Sequence, residues 1–243
     1  MVRVRSAVLE DIDLIMVLEE EAFGAVSKEA MASRATMLHR INLLNKGEIK
    51  WYWVAEYGDK IVGYMIMQPT DITPEKCSSW HMATDSGTLN KTFNPNGENL
   101  YGVSLAISDS APNGVMELLM HCQFIVWLRG RQKHFMICSR MPGYRAICAT
   151  MQITPEEYWQ MKSPDGTYFD GMLHYFSEFV GVAPVRLLPA GFPEDEDSCG
   201  YGVLCVGNDP WTALHQNLLQ IEKAGLELSW FIKDKELIEK ERS

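Results

Sequence analysis

The sequence predicts an α/β (α+β) domain in which a mixed, mostly antiparallel sheet is flanked by helices. Three observations predict it. Apolar residues switch repeatedly between strand-like runs and helical stripes along the chain. Two apolar runs, Trp51–Glu56 and Ile61–Gln68, are joined by Tyr57-Gly58-Asp59-Lys60, which reads as an antiparallel hairpin. Further along, the strand-like run Leu100–Ile107 breaks at Ser108-Asp-Ser-Ala-Pro-Asn-Gly-Val-Met116 and opens a helix to about Arg129.

The elements follow in order. Arg3–Val8 alternates as a short strand, and Leu9-Glu10-Asp11-Ile12 enters a helix whose apolar positions are Ile12, Ile15, Met16, Leu18 and Phe23. Ala30–Leu44 is a second helix, ending before Gly47. After the hairpin, Pro69 to Asn99 is rich in Thr, Ser, Asn, Gly and Pro, and a loop of that length is either functional or poorly ordered. The strand Leu100–Ile107 and the helix Gly114–Arg129 come next. His134–Ser139 is a strand stopped by Arg140-Met-Pro-Gly-Tyr144. Thr154-Pro-Glu-Glu-Tyr158 starts a helix, with Thr154 as cap, Pro155 at the first position and acids in the first turn. Gly171–Phe179 is a further helix. Val182–Leu188 and Gly200–Val206 are the last strands, separated by the acidic loop Gly191–Ser198, and Trp211–Ala224 is a helix. Residues 1–210 form the domain; residues 211–243, with the charged stretch Leu226–Arg242, read as a C-terminal helical extension.

Bulk properties narrow the function classes. The chain has 243 residues, 47% of them hydrophobic, enough for one full core. Its formal net charge of −10 disfavours nucleic-acid backbones and anionic membranes, and it lacks a basic aromatic patch. No apolar run reaches the ~18–20 residues that cross a bilayer, and Met-Val-Arg-Val-Arg-Ser is followed at once by acids, so no signal-peptide core is seen. A cytoplasmic protein is expected. The six cysteines (77, 122, 138, 148, 199 and 205) show no Cys-x-x-Cys spacing and read as reduced thiols; Cys138 and Cys148 read as core thiols. No metal-ligand pattern links them to the six histidines.

The turn between Ile107 and Val115 carries the sharpest chemical signal. A strand, a turn and a helix N-terminus make a phosphate cradle, because free backbone N–H groups point out of the helix end. Yet the turn has one glycine, Gly114, and no Arg or Lys stands between Asn99 and Leu128.

The element order, with the runs Asn94-Pro-Asn-Gly-Glu-Asn-Leu-Tyr-Gly102, Arg140-Met-Pro-Gly-Tyr144, Thr154-Pro-Glu-Glu-Tyr158 and Ser198-Cys-Gly-Tyr-Gly-Val-Leu204, resembles the GNAT N-acyltransferase superfamily. The likeness is to the branch with an Arg-Ile-Pro-Gly-Tyr motif, which also occurs fused ahead of nitrilase-like hydrolases. No nitrilase-like segment follows within these residues. The resemblance implies an acyl-CoA donor, usually acetyl-CoA, an amine acceptor, and no metal. A small molecule or a peptide amino-terminus would serve as acceptor, with no nucleic acid or membrane partner; a homodimer is compatible with it. The attack needs a base or water relay for the amine proton and an acid for the departing thiolate. The resemblance places the backbone of Leu105, Ala106 and Ile107 against the thioester and the N–H groups of Asn113, Gly114, Val115 and Met116 around the pyrophosphate.

The sequence also departs from that pattern. The superfamily's loop, Arg or Gln followed by Gly-x-Gly-x-Gly/Ala, here has Ala111 at the Arg/Gln position, Pro112 at the first glycine, Gly114 at the middle one and Met116 at the last small residue. Pro112 supplies no N–H. The branch's acidic residue in the central strand is Ser104 here, which holds a relay water or bonds the backbone. Tyr144 takes the position of the general acid, or packs with a tethered hydroxyl. Arg140 and Arg145 contact a cofactor phosphate or substrate carboxylate, or pair with Glu194–Asp197. Glu156 and Glu157 are helix-start acids. Trp80, His81 and Tyr101 are candidates for an acceptor pocket. Two functions follow: N-acetyl transfer to a primary amine, with Tyr144 and Ser104 catalytic and Arg140 on the cofactor, or a GNAT-fold binding protein that has lost the donor site.

Overall fold

The computed structural model describes residues 2–24 and 31–225. Seven strands form one sheet in the order β1-β2-β3-β4-β5-β7-β6, where β1 is Val2–Ser6, β2 Tyr52–Tyr57, β3 Lys60–Thr70, β4 Asn99–Ile107, β5 His134–Ser139, β6 Ala183–Leu188 and β7 Gly202–Gly207. Every neighbouring pair is antiparallel except β4 and β5. The expected mixed, mostly antiparallel sheet is therefore present, with helices on both faces.

Helix α1 (Ile12–Phe23) and helix α2 (Arg34–Leu44) cover one face. Helix α4 (Val115–Gly130) covers the other. Tyr64 on β3 reaches α1, whereas a side chain on its neighbour Gly63 would run into Val115 and Leu119 of α4. Successive strand residues point to opposite faces, so the two helix layers sandwich the sheet. Helix α4 is buried over most of its surface because helix α8 (Pro210–Lys223) lies against it; Ala213, Leu214 and Ile221 of α8 are buried, and Asn217 donates to the Glu117 carbonyl at 2.9 Å. The first part of the expected C-terminal extension is thus packed on the core. The charged stretch after Gly225 lies outside the described residues.

Most element boundaries shift by a few residues, and each shift has a local cause. The second helix starts at Arg34, not Ala30, because the Ser33 side chain caps it by accepting from the Thr36 N–H at 3.1 Å; Ala30 itself is outside the described residues. The span Pro69–Asn99 is an ordered, packed segment. Strand β3 runs on to Thr70, the short helix α3 (Trp80–Thr84) sits within the span, and Cys77, Ala83 and Leu89 are fully buried. Buried polar groups pin it: Gln68 donates to the Ala83 carbonyl at 2.7 Å and Asn99 to the Ile72 carbonyl at 3.0 Å. Gly97 is required where the segment crosses β3, since a Cβ there would stand 2.4 Å from the Thr70 nitrogen.

Beyond β5 come helix α5 (Tyr144–Met151), helix α6 (Pro155–Gln160) and helix α7 (Gly171–Tyr175). The expected helix Gly171–Phe179 is split: α7 widens into a π-helical turn over Phe176–Val180 that ends at Gly181, in the left-handed region. The cap of α6 is as expected, with Thr154 accepting from the Glu157 N–H and the Glu157 carboxylate accepting from the Thr154 N–H.

Candidate active-site cleft

Strands β4 and β5 part company halfway. Their parallel ladder covers only Asn99–Gly102 against His134–Ile137. Beyond Gly102, β4 stays with β3 to Ile107 while β5 turns to β7. A cleft of about 470 Å³ fills the opening and passes through the sheet. Met120 and Gln123 of α4 line it from one face, Glu19 of α1 and Arg40 of α2 from the other, and Ser104, Trp80 and Phe176 line its walls. Backbone of β4 from Val103 onward has no strand on its β5 side, which is the edge an extended amide-bearing ligand can pair with.

A buried polar chain ends in this cleft. The Tyr64 hydroxyl donates to Glu19 Oε2 and lies 3.1 Å from Ser104 Oγ. Glu19 Oε1 accepts from the Ala32 N–H at 2.7 Å. Glu19 is 2% exposed and Tyr64 fully buried. Burial pushes the Glu19 carboxyl above the usual carboxylate range, with the Tyr64 and Ala32 hydrogen bonds opposing it. Burial also pushes the Tyr64 phenol up, and the adjacent Glu19 charge adds to it. Opposite, on α4, Gln123 is 1% exposed and its side-chain amide nitrogen has no hydrogen-bond partner. That is an unused donor in the cleft wall.

The sequence-nominated residues divide. Ser104, Leu105 and Arg140 line the cleft; Ala106, Ile107, Asn113, Gly114, Val115 and Met116 do not. Neither Pro112 nor Met116 fills the cleft, and Met116 packs on the core. Gly114 caps α4 with φ 90°, and the N–H groups of Gly114, Val115 and Met116 carry no hydrogen bond within the described residues. The front of the turn is already occupied. Glu21 Oε1 accepts from both Ser108 Oγ and the Asp109 N–H at 2.8 Å, Ser108 Oγ accepts from the Ser110 N–H, and the Ser108 carbonyl accepts from the Ala111 N–H. A carboxylate therefore holds the donors of Ser108 and Asp109 at the start of the turn, while the N–H groups of Gly114 to Met116 stay open.

Arg140 forms a two-pronged ion pair with Asp195 (2.6 and 2.7 Å), and Arg145 pairs with Glu196 (2.6 Å). Of the two readings open for these arginines, the structure shows pairing with the acidic loop. Burial opposes ionisation of Asp195, but the Arg140 fork and the Ser198 hydroxyl prevail and hold its carboxyl below the usual range. Tyr144 is buried away from the cleft, its ring against Tyr158 and Tyr201 and its hydroxyl directed at the Ile153 carbonyl at 3.4 Å. It packs with a tethered hydroxyl, and the role of acid to a thiolate in the cleft does not fit that position.

Trp80 and His81 do line the cleft. Trp80 donates to the Val103 carbonyl at 2.7 Å and His81 meets Glu194 at 2.9 Å. Tyr101 is fully buried beside Cys77, Cys138 and Cys205 and lies off the cleft. Cys138 is buried, as expected of a core thiol, while Cys148 is only half-buried. Glu156 and Glu157 sit in the first turn of α6.

Glu19, Tyr64 and Arg40 were not singled out from sequence. A signal existed for two of them. Glu19 falls on the stripe Ile12, Ile15, Leu18 of α1, and Arg40 on the stripe Met37, Ile41, Leu44 of α2. A charge on the buried stripe of an amphipathic helix is a site candidate.

No family model and no curated protein matches the chain. Solved structures do. The GNAT-like decarboxylase GphF in complex with isobutyryl-CoA matches with TM-score 0.67 at 23% identity, over 85% of this chain and 98% of that one. The loading GNATL domain of CurA from Lyngbya majuscula matches with TM-score 0.71 at 19% identity, over 86% and 98%. The ribosomal-protein-alanine N-acetyltransferase from Brucella melitensis matches with TM-score 0.50 at 11% identity, over 85% and 99%. The chain has the GNAT fold. Among the described residues no helix is long and apolar enough to cross a membrane, and no group of three or more His, Cys, Asp or Glu is placed to hold a metal ion.

Proposed function

We propose that the protein is an acyltransferase that seats an acyl thioester, acetyl-CoA in the simplest case, in the β4–β5 opening and passes the acyl group to a primary amine. The observation that carries this reading is the Glu19–Tyr64–Ser104 chain ending at the cleft. Ser104 alone is too weak a base, and the buried carboxylate behind it supplies what the strand lacks. An amine proton passes to Ser104 Oγ, the Ser104 proton to the Tyr64 oxygen and the Tyr64 proton to Glu19. A carboxyl that burial makes a stronger base than an ordinary carboxylate is suited to accept that proton. The nitrogen then attacks the thioester carbon, the C–S bond breaks, and the thiolate takes up one proton. The unused Gln123 amide and the β4 backbone at Leu105 are the donors for the carbonyl oxygen.

GphF is described as a decarboxylase, so the likeness of fold does not choose between chemistries; the proton path supports acyl transfer. One observation favours a second reading, a binding protein without a donor site: the Glu21 carboxylate holds the start of the turn before α4, a negative charge beside the place a pyrophosphate would take. Calorimetric titration with acetyl-CoA, free CoA and acetyl-pantetheine tests both. Micromolar binding, followed by thiol release with an amine panel that falls about 100-fold or more in Tyr64→Phe, is the expected result. Binding by none of the three at millimolar concentration would leave the binding-protein reading.

A further inference from the structure

Arg40 is a charge in the cleft that acyl transfer does not use and that, unlike Arg140, is not neutralised by a neighbouring carboxylate among the described residues. It is 3% exposed, on the inner face of α2. Its Nε donates to the Gly87 carbonyl at 2.8 Å and one terminal nitrogen reaches the Met37 sulfur at 3.6 Å. No carboxylate pairs with it among the described residues. Glu19 acts on it only at a distance, and Tyr52 and Tyr64 are the other titratable groups that feel it. A buried cation without an anion is costly, and proteins rarely keep one for stability. The fold nonetheless shapes itself around this one. Asp85, Ser86 and Gly87 lie in succession at φ 49°, 51° and 83°, and a Cβ on Gly87 would stand 2.6 Å from the Arg40 Nη2 atom and 3.0 Å from Trp80. Asp85 and Ser86, two successive non-glycine residues in the left-handed region, are strain of the kind kept at functional sites.

We infer that Arg40 is a carboxylate receptor, and that the amine substrate is an amino acid or similar amino-carboxylate held with its carboxylate on the Arg40 guanidinium and its nitrogen at Ser104. The inference rests on the acyl-transfer reading for the nitrogen's destination. Placement favours the acceptor over the donor as the source of the carboxylate. Arg40 lines the cleft from the α1–α2 face, together with Glu19, Ser33 and Thr36, whereas α4, the helix at whose N-terminus the acyl-transfer reading puts the donor's phosphates, lies across the sheet. Tyr64 links the two ends: it touches Ser104 and feels the Arg40 charge. Amine and carboxylate sites thus open onto one cleft, as an amino-carboxylate requires. A guanidinium fork binds a carboxylate through two parallel hydrogen bonds, which sets orientation as well as affinity.

The test uses saturation-transfer NMR on the full chain with a pool of the twenty N-acetyl-L-amino acids, the products, and the matching pool of their carboxamides. Acetyl-CoA is titrated in parallel. Signals from acids but not from amides are expected. The acids should weaken at least about 30-fold in Arg40→Met, the scale for removing one partner of a buried charge pair. Arg40→Lys should keep the preference for acids at reduced affinity. Equal binding of acids and amides by the unaltered protein would overturn the inference without any variant. So would unchanged binding of acids in a folded Arg40→Met, or a preference for malonyl-CoA over acetyl-CoA that Arg40→Met abolishes, which would move the carboxylate to the donor. Failure of acetyl-CoA to bind while acids still outcompete amides would sink the acyl-transfer reading and leave the carboxylate receptor standing.

Discussion

Replacing Arg140 with leucine separates a structural arginine from a cofactor-binding one. In the structure its guanidinium makes two short bonds to Asp195, whose side chain is 5% exposed; the Arg140 side chain is 27% exposed. Removing one partner of a fully buried pair costs about 3–5 kcal/mol because the other charge is stranded. Asp195 would keep the Ser198 hydroxyl and the Asp197 N–H as donors. The outer edge of the pair is also hydrated, which brings the cost to the bottom of that range or below it, about 2–3 kcal/mol. For a chain of this length each kcal/mol moves Tm by roughly 2–4 °C, giving a fall of about 4–12 °C. Thermal and urea unfolding of Arg140→Leu, Asp195→Asn and the double variant read this directly. The double variant should recover part of the loss, since no charge is then stranded. An Arg140→Leu variant of unchanged stability whose affinity for acetyl-CoA drops about tenfold would refute the argument and return Arg140 to the cofactor.

Further outcomes follow from the same contacts. Glu19 binds its proton more tightly folded than unfolded, so stability should fall as pH rises from the ordinary value of 4.5 through its raised one; Glu19→Gln should flatten that slope in urea midpoints measured from pH 4 to 8. Asp195 has the opposite sign: its depressed pKa supports the fold above the usual aspartate range and the support is lost on acidification, so Asp195→Asn should flatten the acid limb measured below pH 4. Glu21→Gln removes negative charge from the turn before α4 and should tighten CoA binding roughly two- to fivefold by calorimetry, with looser binding as the contrary result. Of six thiols, Cys148 and Cys199 should react first with a thiol reagent in the native protein, and Cys77, Cys122, Cys138 and Cys205 only on unfolding.

The frame was legible because it is written in local periodicity. The hairpin, the central strand and the long apolar helix all announce themselves in runs of their own residues. The site was less legible because it is made across the sheet. Ser104 could be named from its strand, but its partner Tyr64 comes from a strand buried on both faces, where no alternation marks which side chain is chemical. Glu19 stands in the run Glu19-Glu20-Glu21, which looks like a solvated helix end; tertiary packing buries the first acid, exposes the other two and sends the third into the next turn. Tyr144 misled for the reverse reason. Its position in the Pro-Gly turn fits a catalytic tyrosine, and only the rings of Tyr158 and Tyr201 show that it is core.

The brief ladder between β4 and β5 also bears on when this molecule can become whole. Strand β5 shares four residue pairs with β4; its longer partnership is with β7, more than sixty residues later in the chain. As the chain emerges from a ribosome, β1 to β4 with α1 can close on contacts already made, while β5 waits for Gly202–Gly207 to be synthesised. The far wall of the cleft is therefore the last to be built. A chain halted before β7 would present the exposed edge of β4, a strand in search of a neighbour, and would be the species most prone to pair with the wrong one.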